Sequence, residues 1–144
     1  MMHIHLRNAT EADLNLTYQI KKNALTEYLE LTWGWNDDAQ FNFHREEFKN
    51  LQNFNIIEWN NQPVGYTEII KRENGIFIAN IMILKHFQGQ GVGKILMQRI
   101  LSEHSIIHLE VLKVNVRAKI FYQNHGFIVV GEDDDVLQMS FSKM

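Results

Sequence analysis

Polar and apolar side chains alternate at the start of the chain. In Met1-Met2-His3-Ile4-His5-Leu6-Arg7 this period of two predicts a first strand with Ile4 and Leu6 facing inward. Leu14, Tyr18, Leu25, Tyr28 and Leu29 then recur at helical spacing, which predicts a helix over residues 11–31. Thr10 offers its N-cap, and Glu11 and Asp13 fall in a first turn where the helix dipole favours acids. Thr32-Trp33-Gly34-Trp35-Asn36 interrupts the pattern, and a second helix is expected over residues 38–51. Residues 54–59, 64–72 and 76–84 read as strands divided by Asn60-Asn61-Gln62-Pro63 and Glu73-Asn74-Gly75; connections this short make the three antiparallel neighbours.

Beyond a glycine-rich stretch, Ile95, Leu96, Ile100 and Leu101 mark the apolar stripe of a helix ending near Glu103. A strand over residues 106–112 follows. Asn115 can cap a further helix whose inward face is Ala118, Phe121 and Tyr122, and Gly126 stands where a left-handed C-terminal residue belongs. Residues 127–131 and 136–141 close the chain as a hairpin. With no linker, repeat or low-complexity segment to divide it, residues 1–144 are expected to form one domain.

Composition narrows the partners. At 144 residues and 45% hydrophobic content, the chain can bury a core without staples. A net charge of −3 gives no basic excess to hold a phosphate backbone, so no nucleic acid is expected. The absence of Cys excludes disulfides and thiol nucleophiles. The amino terminus lacks the apolar core of a signal peptide, and no apolar run approaches the roughly 20 residues that span a bilayer. A cytoplasmic protein without a membrane anchor is expected. His3 and His5 share a strand face, but no third ligand accompanies them, so no metal is assigned.

The candidate chemistry starts at Gln88-Gly89-Gln90-Gly91-Val92-Gly93, between a strand and an amphipathic helix. Glycines there let several backbone amides and a helix N-terminus approach one anion with no Cβ in the way. The spacing is not that of a Walker loop, because Gly93-Lys94 is followed by Ile95 rather than Ser or Thr. Nor does it fit a dinucleotide fingerprint, which needs a small residue where Lys94 stands.

What remains is Gln-x-x-Gly-x-Gly, met by Gln88, Gly91 and Gly93. A second pattern lies downstream, Asn-x-x-Ala-x-x-Phe-Tyr-x-x-x-Gly-Phe, carried by Asn115, Ala118, Phe121, Tyr122, Gly126 and Phe127. On these two motifs the chain resembles the GNAT superfamily of acyl-CoA-dependent N-acyltransferases. Its order of elements is similar over nearly the whole length. One position departs from the family's habit, with Lys85 where Pro often follows the fourth strand.

The resemblance implies an α/β fold, a mixed, mostly antiparallel sheet flanked by helices, with acetyl-CoA entering where the strands around the glycine loop diverge. It implies that the pantetheine arm pairs with the backbone of Ile81, Met82 and Ile83. The diphosphate would lie over Gly89, Gln90, Gly91, Val92, Gly93 and Lys94, behind Gln88. Asn115 would contact the arm, or serve only as a cap. Tyr122 would be the general acid that protonates the departing thiolate, unless it merely continues the core stripe. Some relatives carry a base where Glu110 stands, on an otherwise apolar strand that either buries it or turns it to water; Glu68 is a second carboxylate on a largely apolar strand.

An acceptor amine must lose a proton before it attacks, so a carboxylate is needed, directly or through water. The stretch holding Tyr28, Trp33 and Trp35 combines aromatic rings with carboxylates suited to a cationic amine, with Glu68 as a further candidate. Packing and capping are the plainer roles for most of these residues, as a solvated turn is for Glu132-Asp133-Asp134-Asp135. Without Cys or a serine elbow, direct transfer in a ternary complex is expected. A catalytically silent acyl-CoA sensor or interaction module would carry the same loop, and a homodimer stays open.

Overall fold

The computed structural model describes residues 3–143. Met1 and Met2, which the opening alternation includes, and Met144 lie outside the described residues. The chain forms β1 (Ile4–Asn8), α1 (Leu14–Thr32), α2 (Asp37–Phe48), β2 (Phe54–Trp59), β3 (Gln62–Arg72), β4 (Gly75–Ile83), α3 (Val92–Glu103), β5 (Ile106–Leu112), α4 (Val116–Asn124), β6 (Ile128–Glu132) and β7 (Val136–Ser142). The strands make one sheet in the order β1-β2-β3-β4-β5-β7-β6, antiparallel throughout except for β4 against β5. This is the mixed, mostly antiparallel sheet expected.

Element boundaries differ from the sequence pattern for local reasons. Residues 11–13 form a single 3-10 turn before α1 begins. There the Asp13 carboxylate is buried, taking both Nη atoms of Arg7 at 2.8 and 2.9 Å and the Thr10 amide at 2.9 Å. The turn between β2 and β3 is Asn60-Asn61 alone, with φ of 54° and 62°, the left-handed pair that a tight hairpin requires and Asn tolerates. Gln62 and Pro63, expected in that turn, belong to β3. Pro63 sits opposite Glu58, where the register shifts, a place that does not need its missing N–H. Gly75 opens β4 at φ 144° because a Cβ there would meet the Ile106 carbonyl at 2.2 Å.

The two faces of the sheet bury different cores. α3 and α4 cover one, where Leu96, Met97, Ile107, Leu109 and Met139 are fully enclosed. α1 and α2 cover the other over Phe54, Ile56, Tyr66 and Met82. A polar seam runs through this second layer. Thr17 Oγ1 lies 3.0 Å from the Asp13 carbonyl and 2.7 Å from His44 Nε2. Among the described residues, His44 Nδ1 is buried with no hydrogen-bond partner. Burial, helped by nearby Lys21, pushes the His44 pKa down from 6.5 to about 4. Lys21 itself pairs with Glu47 across the helices at 3.0 Å.

Candidate active site

β4 and β5 part early, and that opens the site. They pair only from Ile76–Ile107 to Ile78–Leu109. Just beyond, Glu68 faces Asn80 while Ile69 faces Ile78, so Ala79 is an extra residue and β4 bends at a bulge. A cleft of about 560 Å³ fills the gap, walled by α1, the diverging strands, the glycine loop and α4. Ile81, Met82 and Ile83 pair with β3 on one side and border this cleft on the other, where β5 has departed.

The loop is held from both ends. Gln88 Nε2 donates to the Ile83 carbonyl at 2.8 Å, and Gly91, at φ 95°, caps α3. Gly89 is also left-handed, at φ 78°. The first bond of α3 runs from the Ile95 amide to the Gly91 carbonyl. Among the described residues, no hydrogen bond uses the amides of residues 89–94. The positive end of α3 lies beside these amides. Gly93 borders the cleft, and a Cβ on it would touch Ile83 Cδ1 at 3.4 Å and Phe121 Cζ at 3.5 Å.

The other candidates in the loop divide by role. Val92 is buried in the core, and Gln90 turns its Nε2 to the His86 carbonyl; neither borders the cleft. Lys94 is exposed on the cleft's wall. At the departure from the family pattern, the Lys85 amide donates to Asn23 Oδ1 at 2.8 Å and its ammonium pairs with Glu27 at 3.0 Å. That amide bond, which Pro could not make, ties the loop's start to α1.

Asn115 caps α4, its Oδ1 accepting from the Ala118 amide at 3.1 Å, and it also borders the cleft. Tyr122 is held between Phe121 and Phe127, at 5.4 and 5.5 Å between ring centroids. Its hydroxyl makes no hydrogen bond among the described residues, and the side chain lines the cleft. Burial pushes the phenol up to about 12, so it keeps its proton throughout the neutral range.

The two carboxylates separate. On β5, Ile107, Leu109 and Val111 point into the core. Glu110 therefore lies on the opposite face, exposed to water at the margin of the cleft. Glu68 is the buried one, 4% exposed, and burial together with the Glu47 charge raises its pKa against the Asn80 hydrogen bond. Glu68, also a candidate for the acceptor, does not border the cleft. Asn80 does, and its Nδ2 donates to Glu68 Oε1 at 2.7 Å.

Of the aromatic candidates, Tyr28 and Trp33 line the cleft. Trp35 does not: its Nε1 donates to Asp37 at 3.4 Å and its ring lies 6.5 Å from that of Tyr18. Trp33 Nε1 donates to Asp135 Oδ2 at 2.9 Å, joining the end of α1 to the β6–β7 turn across 102 residues. That turn is more than the solvated loop its charges suggest. Arg117, on the cleft wall, is a residue that the motifs do not single out, although a cation in a helix's first turn runs against the dipole and was the available signal. Among the described residues, no group of three His, Cys, Asp or Glu is placed to hold a metal, and no helix is long and apolar enough to cross a membrane.

A parted β4–β5 pair with an amide-lined loop at its head is the architecture of an acetyltransferase domain. The family model for the acetyltransferase (GNAT) domain matches residues 50–129, and the chain belongs to this family. Over 81 residues it is 33% identical to the peptidyl-lysine N-acetyltransferase YiaC of Escherichia coli (strain K12), a match covering 56% of this chain and 53% of YiaC. The chain thus spans about half the length of that curated relative. In fold it is similar to the PaiA N-acetyltransferase of Thermoplasma acidophilum in complex with coenzyme A, at 17% identity and a TM-score of 0.79, over 98% of this chain and 99% of that one. It is also similar to an Arabidopsis thaliana protein in complex with the bisubstrate analogue CoA-Ac-MVNAL, at 20% identity and a TM-score of 0.68, over 96% of this chain and 98% of that one.

Proposed function

We propose that residues 1–144 act as one acetyl-CoA-dependent N-acetyltransferase domain that moves the acetyl group directly to an amine. The observation that carries this reading is the row of unused amides at residues 89–94, set beside a strand edge left open by the departure of β5. The diphosphate of the donor lies on the amides, and its pantetheine arm runs along Ile81 to Ile83 past Asn115. The thioester then reaches the part of the cleft bordered by Tyr122 and Glu110.

The acceptor enters beside Tyr28 and Trp33. Its ammonium loses a proton to Glu110 through water, and the free nitrogen attacks the thioester carbonyl. As the tetrahedral adduct collapses, the C–S bond breaks, the nitrogen sheds its second proton to water to leave the neutral amide, and the Tyr122 hydroxyl gives its proton to the leaving thiolate. A phenol raised to about 12 holds its proton at neutral pH, so the hydroxyl is in the donor form when the thiolate departs. Glu110 returns its proton to solvent, and Tyr122 regains one. The relatives support an amine acceptor: YiaC is a peptidyl-lysine N-acetyltransferase, and the Arabidopsis structure holds a CoA–peptide analogue.

The test is CoA release over a panel of amines, polyamines, amino acids and lysine peptides, with wild type and Tyr122→Phe. A general acid contributes about 10²- to 10⁴-fold, so Tyr122→Phe is expected to lose kcat by that factor while CoA affinity persists. Wild-type protein that binds CoA but acetylates no amine would overturn the enzyme and leave the silent sensor.

A further inference from the structure

Arg117 is the second residue of α4 (Val116–Asn124), exposed and on the wall of the cleft. Among the described residues its guanidinium joins none of the ion pairs, which involve Arg7, Lys21, Lys22, Lys49, Lys85 and Lys113. It makes no side-chain hydrogen bond either. Its place is defined by the loop: Arg117 Nη2 is 3.3 Å from the position a Cβ on Gly89 would occupy. The guanidinium therefore rests over the backbone at the loop's first glycine, and an ordinary side chain at that position would crowd it.

An unpaired guanidinium at this place has no role in the fold. It packs no core, neutralises no carboxylate and opposes the dipole of its own helix. What it adds is a planar fork of donors beside a surface already furnished with amides. Such a fork matches the oxygens of a phosphate monoester, which it grips through two parallel N–H bonds. The acetyl-CoA reading, on which this inference rests, supplies two anionic groups to the site. The diphosphate suits the amides of residues 89–94, and the monoester on the ribose 3′ carbon is left for a cation at the loop's outer edge.

We propose that Arg117 grips the ribose 3′-phosphate of the donor, making this chain selective for CoA over 3′-dephospho-CoA. The two ligands share the pantetheine arm, the diphosphate and the adenine. Only the terminal monoester separates them, so a difference in affinity reports that one contact.

Isothermal titration of the full chain with CoA and with 3′-dephospho-CoA tests the proposal without an acceptor. A hydrogen-bonded charge pair of this kind is expected to give wild type about ten- to a hundredfold preference for CoA. Arg117→Ala should weaken CoA to the level of the dephospho ligand, whose own affinity stays within about twofold. Arg117→Lys, a point charge without the fork, should keep part of the preference. Thermal melting of both variants verifies that they are folded. Equal weakening of both ligands by Arg117→Ala would overturn the proposal by assigning the residue to the diphosphate, and so would no effect on either. Wild-type protein that binds neither ligand would instead overturn the acetyl-CoA reading beneath it.

Discussion

Acidification should weaken this fold through His44 in particular. The imidazole is 1% exposed, enclosed by the rings of Phe48, Phe54 and Tyr66 at centroid distances of 5.8 to 6.1 Å. Among the described residues its only polar partner is the Thr17 hydroxyl, at 2.7 Å. Its pKa falls from 6.5 to about 4 on folding, so between these values the unfolded chain binds a proton that the native chain refuses. The sign follows from that difference: the stabilisation is complete above pH 6.5 and is lost as the pH falls towards 4. Each pH unit between the two values is worth about 1.4 kcal/mol, which makes the full loss about 3 kcal/mol. Two carboxylates also contribute to the pH dependence: Asp13, held below 3.8 by Arg7, loses its stabilisation only as the pH falls below that value, whereas Glu68, raised by burial, works in the opposite sense to His44. The assay must therefore isolate the imidazole. Urea unfolding at pH 7.5, 6.0, 5.0 and 4.5 (about three pH units in all) should be run on wild type, His44→Phe and His44→Gln. Each substitution has its own packing cost, but this offset is independent of pH. The wild-type curve should fall towards those of the variants by about 2 to 3 kcal/mol between the extremes. Parallel curves over the whole range would refute the buried neutral imidazole.

Three further outcomes are expected. Gly75→Ala places a methyl group 2.2 Å from the Ile106 carbonyl at a φ of 144°, and should cost about 2 to 4 kcal/mol of unfolding free energy by forcing apart the short β4–β5 junction. Trp33→Phe removes the exposed bond to Asp135; unfolding experiments should show a loss of about 1 kcal/mol or less, while steady-state kinetics show a changed KM for the acceptor rather than for acetyl-CoA. Glu110→Gln should lower kcat/KM about a hundredfold near neutral pH and leave CoA affinity unchanged by titration calorimetry, since its carboxylate stands at the cleft's margin rather than beside the amide row.

Much of the layout is written in local patterns. Period-two runs mark the strands, and the glycine loop, Asn115 and Gly126 sit in the structure where their backbone chemistry suggests. Glu110 illustrates a signal that is present but easily underused, because the inward alternation of Ile107, Leu109 and Val111 already turns it outward. Glu68 could not be placed this way: residues 64–68 are all buried, and a strand enclosed on both faces carries no alternation to read. The bulge at Ala79 has no local signature either, arising from the pairing of two strands rather than from one residue. Trp33 and Asp135 meet only through the fold, at a separation no motif records.

The place where β5 leaves β4 has a thermodynamic consequence. Apart from the Ile83 carbonyl, which Gln88 takes, the peptide groups that Ile81, Met82 and Ile83 turn away from β3 must be satisfied by solvent until a chain-like guest lies against them. A donor arm seated there would act as an extra rung of the ladder, so its arrival should slow deuterium uptake along the margin of the sheet and raise the melting point as the guest's concentration rises.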